Sequence, residues 1–158
     1  MTYRDLDVRL LDALRDDARQ SARQLAERLA VSPSTIANRL RDLQERGVLT
    51  GFRPEIDYRK LGYGLVAITK IKARGDALPG IVEALSSDDR LTHVYEITGD
   101  FDVLVIGRFR DEGEMNTEIK RMLGLPGIEG TSTSIVLSAA KDGVDIPLYA
   151  PGDDDSGR

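Results

Sequence analysis

The sequence predicts an α+β chain in two parts, an N-terminal winged helix-turn-helix followed by a ferredoxin-like βαββαβ sandwich. Three observations carry this reading. The first part holds three short amphipathic stretches, with almost no chain between the second and third. From Gly64 onward, runs rich in valine and isoleucine alternate with helical patterns in the order strand, helix, strand, strand, helix, strand. The charge also changes sign: residues 1–62 carry 12 Lys+Arg and 10 Asp+Glu, net +2, leaving 10 and 17, net −7, for residues 63–158.

In "LDVRLLDALRDDAR" the first helix aligns Leu6, Leu10 and Leu14, with Val8 and Leu11 as an alternative stripe. "SARQLAERLAV" opens on a capping box, in which Ser21 caps the helix and Gln24 bonds back, and Leu25 and Leu29 form its buried stripe. "VSPSTIANRLRDLQERG" has Ser32 as N-cap, Pro33 in the first turn and Gly47 as the stop. The connection is so short that the second and third helices must cross sharply, and small Ala26 and Ala30 allow the approach. On the third helix Ile36, Leu40 and Leu43 mark the core face. Ser34, Asn38, Arg41 and Glu45 form the opposite face, with Ala37 and Asp42 at its edges and Arg39 on a flank. "GVLTGFRPEIDYRKLG" reads as a short wing or linking strand, with Arg53, Arg59 and Lys60 available to phosphates.

The second part begins with the strand "GLVAITKIKAR" and the helix "DALPGIVEALSS", whose Leu78, Ile81, Val82 and Leu85 share a face. The strands "LTHVYEIT" and "FDVLVIGRFR" follow. The helix "EGEMNTEIKRML" aligns Met115, Ile119, Met122 and Leu123, and "IEGTSTSIVLSAA" is the last strand. These strands are apolar on both faces: Phe101, Val103, Val105 and Phe109 oppose Leu104 and Ile106, and Val66 and Ile68 oppose Leu65, Ala67 and Ile71. Two helices cover one face, so something else must cover the other, and a second copy of the sheet is expected.

The exposed face of the third helix suits base edges. Arg bonds guanine bidentately, Asn does the same for adenine, Ser serves several bases, and Ala37 meets a thymine methyl. With no cysteine there is no disulfide, thiol nucleophile or cysteine-ligated zinc. No run is long and apolar enough for a membrane helix and the N-terminus has no signal-peptide core, so a cytoplasmic protein with no membrane partner is expected. Asp outnumbers Glu 18 to 9 and Arg outnumbers Lys 17 to 5, a balance that suits a saline cytoplasm or a GC-rich codon bias. "TGDFD", residues 98–102, reads as a polar hairpin turn rather than as an acid and base pair, because no His, Lys or Ser completes a site. Alternation in "TSTS" puts Thr131 and Thr133 on one face, a wet or ligand-lining one, and Ser132 and Ser134 on the other. His93 reads as a packed or surface residue, not a ligand.

The run from "LDVRLLDALRDDARQ" to "YRKLGYG", followed by "VYEITGDFDVLVIG" and "LPGIEGTSTSIVL", resembles the Lrp/AsnC, or feast/famine, transcription regulators over nearly the whole chain up to about Lys141. The resemblance implies a winged helix-turn-helix domain over residues 1–62 and an effector-binding and assembly (RAM) domain over residues 63–142. Residues 143–158 are expected to form a tail with a disordered end. It implies double-stranded DNA as partner, homodimers and possibly octamers, and no cofactor beyond a possible amino-acid effector held between RAM domains. Ser34, Asn38 and Arg41 would meet bases, and Arg39 and Arg53 phosphates. Gly99, Asp100, Phe101 and Asp102 would line the effector site, with Asp102 on the α-ammonium, and Thr131 and Thr133 would be second candidates. Ala30 departs from the family pattern, which often has glycine in that turn. The competing readings are an amino-acid-sensing assembly protein that does not itself read DNA sequence, and an enzyme resembling the siroheme decarboxylases.

Overall fold

The computed structural model describes residues 5–143 and Leu148; the expected tail from residue 143 onward otherwise lies outside the described residues. The chain divides into two compact units, the first ending at Glu55 and the second spanning Ile56–Asp142. Residues 56–62 fold with the second unit. There the Arg108 guanidinium lies 5.7 Å from the Tyr58 ring centroid, and Arg110 both covers the Tyr63 ring and donates to its hydroxyl at 3.0 Å.

The first unit contains α1 (Asp5–Asp16), α2 (Ala22–Leu29) and α3 (Pro33–Glu45) around one core of Leu10, Ala13, Leu14, Leu25, Ala26, Leu29, Ile36 and Leu43. The capping box forms as its residues dictate: the Gln24 N–H donates to Ser21 Oγ at 3.3 Å, and the Ser21 N–H donates to Gln24 Oε1 at 2.8 Å. The turn between α2 and α3 passes through Ala30 in the left-handed conformation, φ 57° and ψ 45°. That region strains any residue with a Cβ. The wing segment forms no strand. The Val48 and Leu49 N–H groups both donate to the Leu43 carbonyl, at 2.9 and 3.1 Å, closing the end of α3, and their side chains pack on the helical core. Residues 50–57 then run on without a strand, Pro54 having no donor to give one.

In the second unit β1 (Leu65–Ala73), α4 (Leu78–Ser86), β2 (Leu91–Glu96), β3 (Val103–Phe109), α5 (Glu112–Leu123) and β4 (Ile128–Ile135) form a ferredoxin-like sandwich. Its sheet order is β2-β3-β1-β4, antiparallel throughout, with β1 central against both β3 and β4. Ala67, Thr69, Ile71, Ala73, Val103, Val105 and Phe109 are buried on the helix-covered side. Val66, Ile68, Leu104, Ile106 and the exposed Tyr95 lie on the open side. An extra residue, Thr92, enters β2 where its register against β3 shifts, and its hydroxyl donates to the Ile106 carbonyl at 3.0 Å. At the turn before β4, Gly127 has φ 91°, and a Cβ there would stand 2.2 Å from that of Ala77.

The buried stripe of α5 differs from the expected one. Leu123 is exposed, and Glu118, fully buried, sits between Met115 and Met122. Charge compensation permits it. The Arg121 guanidinium donates to Glu118 Oε1 at 2.8 Å and lies 2.6 Å from Asp88, while Arg90 lies 3.4 Å from Glu118 and 3.2 Å from Asp88. Burial pushes the Asp88 carboxyl up, but the N–H and guanidinium of Arg90 and the charge of Arg121 outweigh it and hold the group below the usual range.

Three outcomes follow for stability. Glu118→Ala vacates a buried site and leaves Arg90 and Arg121 sharing Asp88 as their carboxylate, and is expected to cost about 1–3 kcal/mol in urea unfolding. The depressed Asp88 pKa contributes stability that is present above the unfolded-state value and lost as pH falls through the folded one, so Asp88→Asn should show a shallower acid transition. Ala30→Gly removes the left-handed strain at the price of some chain entropy, and a gain of roughly 0.5–1 kcal/mol in thermal unfolding is expected.

Candidate DNA interface and effector loop

Ser32 begins α3 in an extended conformation, and its Oγ accepts from the Thr35 N–H at 3.1 Å. The same oxygen lies 2.8 Å from the hydroxyls of Ser34 and Thr35, so Ser34 meets a groove with part of its bonding capacity already used. Ile36 and Leu43 are completely buried and Leu40 half-buried, which leaves Ser34, Ala37, Asn38, Arg41 and Glu45 exposed along one face. The small Ser34 and Ala37 lie toward the N-terminal end of that face, where the backbone can approach a groove floor closely.

The charges of the first unit are mostly spent internally. Residues 1–55 contain ten arginines, nine acids and no lysine. Arg9, Arg15, Arg23, Arg28 and Arg46 pair with Asp5, Asp12, Glu27, Asp16 and Asp42. Arg39 pairs with Asp7, its Nε 3.8 Å from Oδ1. The pair is inward: Asp7 is 1% exposed and Arg39 22%. Among the described residues of the first unit Arg19, Arg41 and Arg53 are exposed guanidiniums with no carboxylate partner, and of these Arg41 alone stands on a helix. Of the five arginine and polar positions singled out on this unit, the structure therefore groups Ser34, Asn38 and Arg41 on one exposed face. It turns Arg39 toward α1 and places Arg53 in the chain that leaves the unit. Asp7 escapes a reading based on apolar spacing, although it stands three residues before Leu10 and seven before Leu14, on the buried stripe itself.

In the second unit the turn between β2 and β3 closes through the Ile97 N–H donating to the Asp102 carbonyl at 2.9 Å, with Gly99 at φ 110°. The Asp102 N–H donates to the Ile71 carbonyl at 2.9 Å. Its carboxylate accepts from the Ala73 N–H at 2.8 Å and lies 3.3 Å from the Lys72 ammonium. The Ala73 N–H first, and Lys72 beside it, hold this carboxyl below the usual range. Asp102 thus stitches the loop to the end of β1. Asp100 is exposed and, among the described residues, has no hydrogen-bond or ion-pair partner. Phe101 does not share the face of Val103 as alternation suggests: it precedes β3, and its ring lies 5.1 Å from the Lys70 ammonium, on the open side of the sheet.

Thr131 stands opposite Ile71, which stands opposite Val103, so the loop and Thr131 reach the same end of the sheet about 10 Å apart, two strand spacings. Their faces differ. Thr133 Oγ1 bonds Thr69 Oγ1 at 2.9 Å, and Thr69 is buried beneath the helices. Thr131 and Thr133 therefore belong to the helix-covered side, whereas Phe101 and Lys70 lie on the open side. Within one chain the two groups do not share a surface.

Among the described residues no group of three or more His, Cys, Asp or Glu side chains could hold a metal ion, and no helix is long and apolar enough to cross a membrane. Residues 3–50 match the family model described as winged helix-turn-helix DNA-binding, and residues 66–146 match the Lrp/AsnC ligand binding domain. An uncharacterized HTH-type transcriptional regulator of Pyrococcus furiosus is 39% identical over 142 residues, covering 90% of this chain and 96% of that one. The structure of AsnC from E. coli superposes with a TM-score of 0.86 at 26% identity, covering 92% of this chain and 99% of that one. A transcriptional regulator of Neisseria meningitidis solved as an L-Met complex superposes with a TM-score of 0.87 at 24% identity, covering 93% and 97%.

The internal use of Asp102 generates a direct test. Asp102→Ala is expected to speed hydrogen exchange at the Ala73 amide while leaving the helix amides of α4 and α5 unchanged, as read by NMR.

Proposed function

We propose that this chain, which belongs to the Lrp/AsnC family of helix-turn-helix transcription regulators, reads DNA sequence with Ser34, Asn38 and Arg41 and grips phosphate with Arg53. Members of the family are regulators and not enzymes, which sets aside the decarboxylase alternative. The single observation that carries the reading is the exposed face of α3, where Arg41 lacks a carboxylate partner among the described residues while the arginines elsewhere on the helices are paired. The same exposed face weighs against a helix-turn-helix used only for assembly. The protein works beside the DNA it reads, in the cytoplasm.

Two protomers meet through the open side of the sheet. Val66, Ile68, Leu104, Ile106 and Tyr95 form an apolar surface that a second copy would bury, and a unit of roughly 90 residues gains much of its core that way. Assembly places two copies of α3 one helical turn of DNA apart, so the site is a pseudo-palindrome. An amino acid modulates this through the loop from Gly99 to Asp102, as the L-Met complex of the Neisseria regulator makes reasonable. Asp100, with its carboxylate unengaged, meets the α-ammonium, and Asp102 keeps the loop in shape.

Duplexes selected from a random-sequence pool by the purified protein provide the test. Asn38→Ala and Arg41→Ala are expected to change the selected bases at a cost of about 1–3 kcal/mol on the preferred site. Arg53→Ala is expected to weaken all duplexes alike and flatten the salt slope by about one. Equal losses on every sequence for all three variants would refute the division of roles.

A further inference from the structure

We propose that the Asp7–Arg39 ion pair is a positioning device that fixes the rotation of α3 about its own axis, and so decides which side chains face the groove. The inference rests on the DNA-reading role proposed above. On α3 only Ile36 and Leu43 are completely buried, and they lie seven residues apart, nearly in line along the helix. Leu40, half-buried against the same core, lies about 40° to one side of that line, and because apolar contact has no direction these contacts resist a roll only weakly. Arg39 stands off the line, about 60° around the helix from Ile36, and reaches Asp7 on α1 with Nε 3.8 Å from Oδ1. The pair adds a charged point on the flank opposite Leu40. Asp7 is 1% exposed among Leu10, Ala13 and Leu14, so its charge favours one location for the guanidinium.

Rotation matters because bidentate base contacts tolerate little error. A roll of about 20° would carry a side-chain tip at the helix perimeter roughly 2 Å sideways, enough to break hydrogen bonds made by Asn38 or Arg41. Phosphate contacts from a flexible arginine such as Arg53 would survive it. Loss of the pair should therefore damage specificity more than general affinity. A phosphate-binding Arg39 predicts the reverse pattern.

Wild-type protein would first be used to select an operator duplex from a random-sequence pool. Dissociation constants would then be measured over a salt series for that operator and a scrambled duplex of equal length. The variants are Asp7→Asn, Arg39→Gln, the double variant and Arg39→Lys, with Leu40→Ala as a control for general loosening. Each is assayed well below its own melting temperature. Asp7→Asn and Arg39→Gln should each lose roughly tenfold on the operator and less than about twofold on the scrambled duplex, with the salt slope unchanged. The double variant should be no worse than the weaker single, and Arg39→Lys should recover most of the discrimination. Leu40→Ala should lower the melting temperature without changing the ratio between duplexes. If Arg39→Gln weakens both duplexes equally and flattens the slope by about one while Asp7→Asn changes neither, Arg39 is a phosphate contact and the proposal fails. It fails equally if Leu40→Ala loses as much discrimination as Asp7→Asn. Wild-type protein that selects no duplex would overturn the DNA-reading role, and the positioning role with it.

Discussion

Strand β1 is hydrogen-bonded along both edges, to β3 and to β4, and the second unit is laid out against that one backbone. The Ile71 carbonyl takes the Asp102 N–H, the Ala73 N–H takes the Asp102 carboxylate, and Thr69 takes Thr133. After β4, the Val136 N–H reaches back to the Val66 carbonyl at 2.9 Å. The loop at one end, the threonine pair in the middle and the returning chain at the other end are thus located by residues of a single strand. A ligand that displaced the loop would pull first on the final residues of β1, because Asp102 contacts it through both main chain and side chain. Coupling from the loop into the sheet has a short, hydrogen-bonded route.

The first unit solves a different problem, reading a polyanion from an acidic protein. Near-equal numbers of arginines and acids keep its net charge close to zero, and most guanidiniums face carboxylates of their own chain. A paired arginine offers little extra attraction to a phosphate, so general attraction is weak and recognition leans on shape and base edges. Asp42 illustrates the economy. An acid at the edge of a DNA-facing helix would repel phosphate, yet here it accepts from Arg46 at 3.0 Å, one turn further along the same helix.

Much of this was legible in the residues. Ser21 and Gln24, Ser32 and Pro33, and the valine and isoleucine alternation of β1 and β3 all act locally, through caps and periodicity, and each formed the element it predicts. What escaped were effects of partners distant in sequence. Asp7 and Glu118 occupy buried stripes because arginines from other turns or helices neutralise them, and spacing cannot reveal a neighbour 32 residues away. Val48 and Leu49 have strand-forming side chains, but a strand needs a partner, and their donors go to Leu43 instead. The loop at Gly99 to Asp102 was legible as a turn. The division between its two aspartates was not, because only the fold brings the Ala73 N–H to one of them.

The absence of lysine from residues 1–55 has a chemical consequence. Acylating agents, whether an acetyltransferase or a reactive ester used for labelling, need a side-chain amine, and guanidinium is a poor substitute. In the described part of the chain every such amine, at Lys60, Lys70, Lys72, Lys120 and Lys141, belongs to the second unit. Lysine acetylation therefore cannot erase a charge on α3; on the sheet it would reach Lys72, which holds Asp102, and Lys70, which covers Phe101. For the experimenter, amine-reactive dyes that take lysine side chains will decorate the second unit and spare the side chains of residues 1–55.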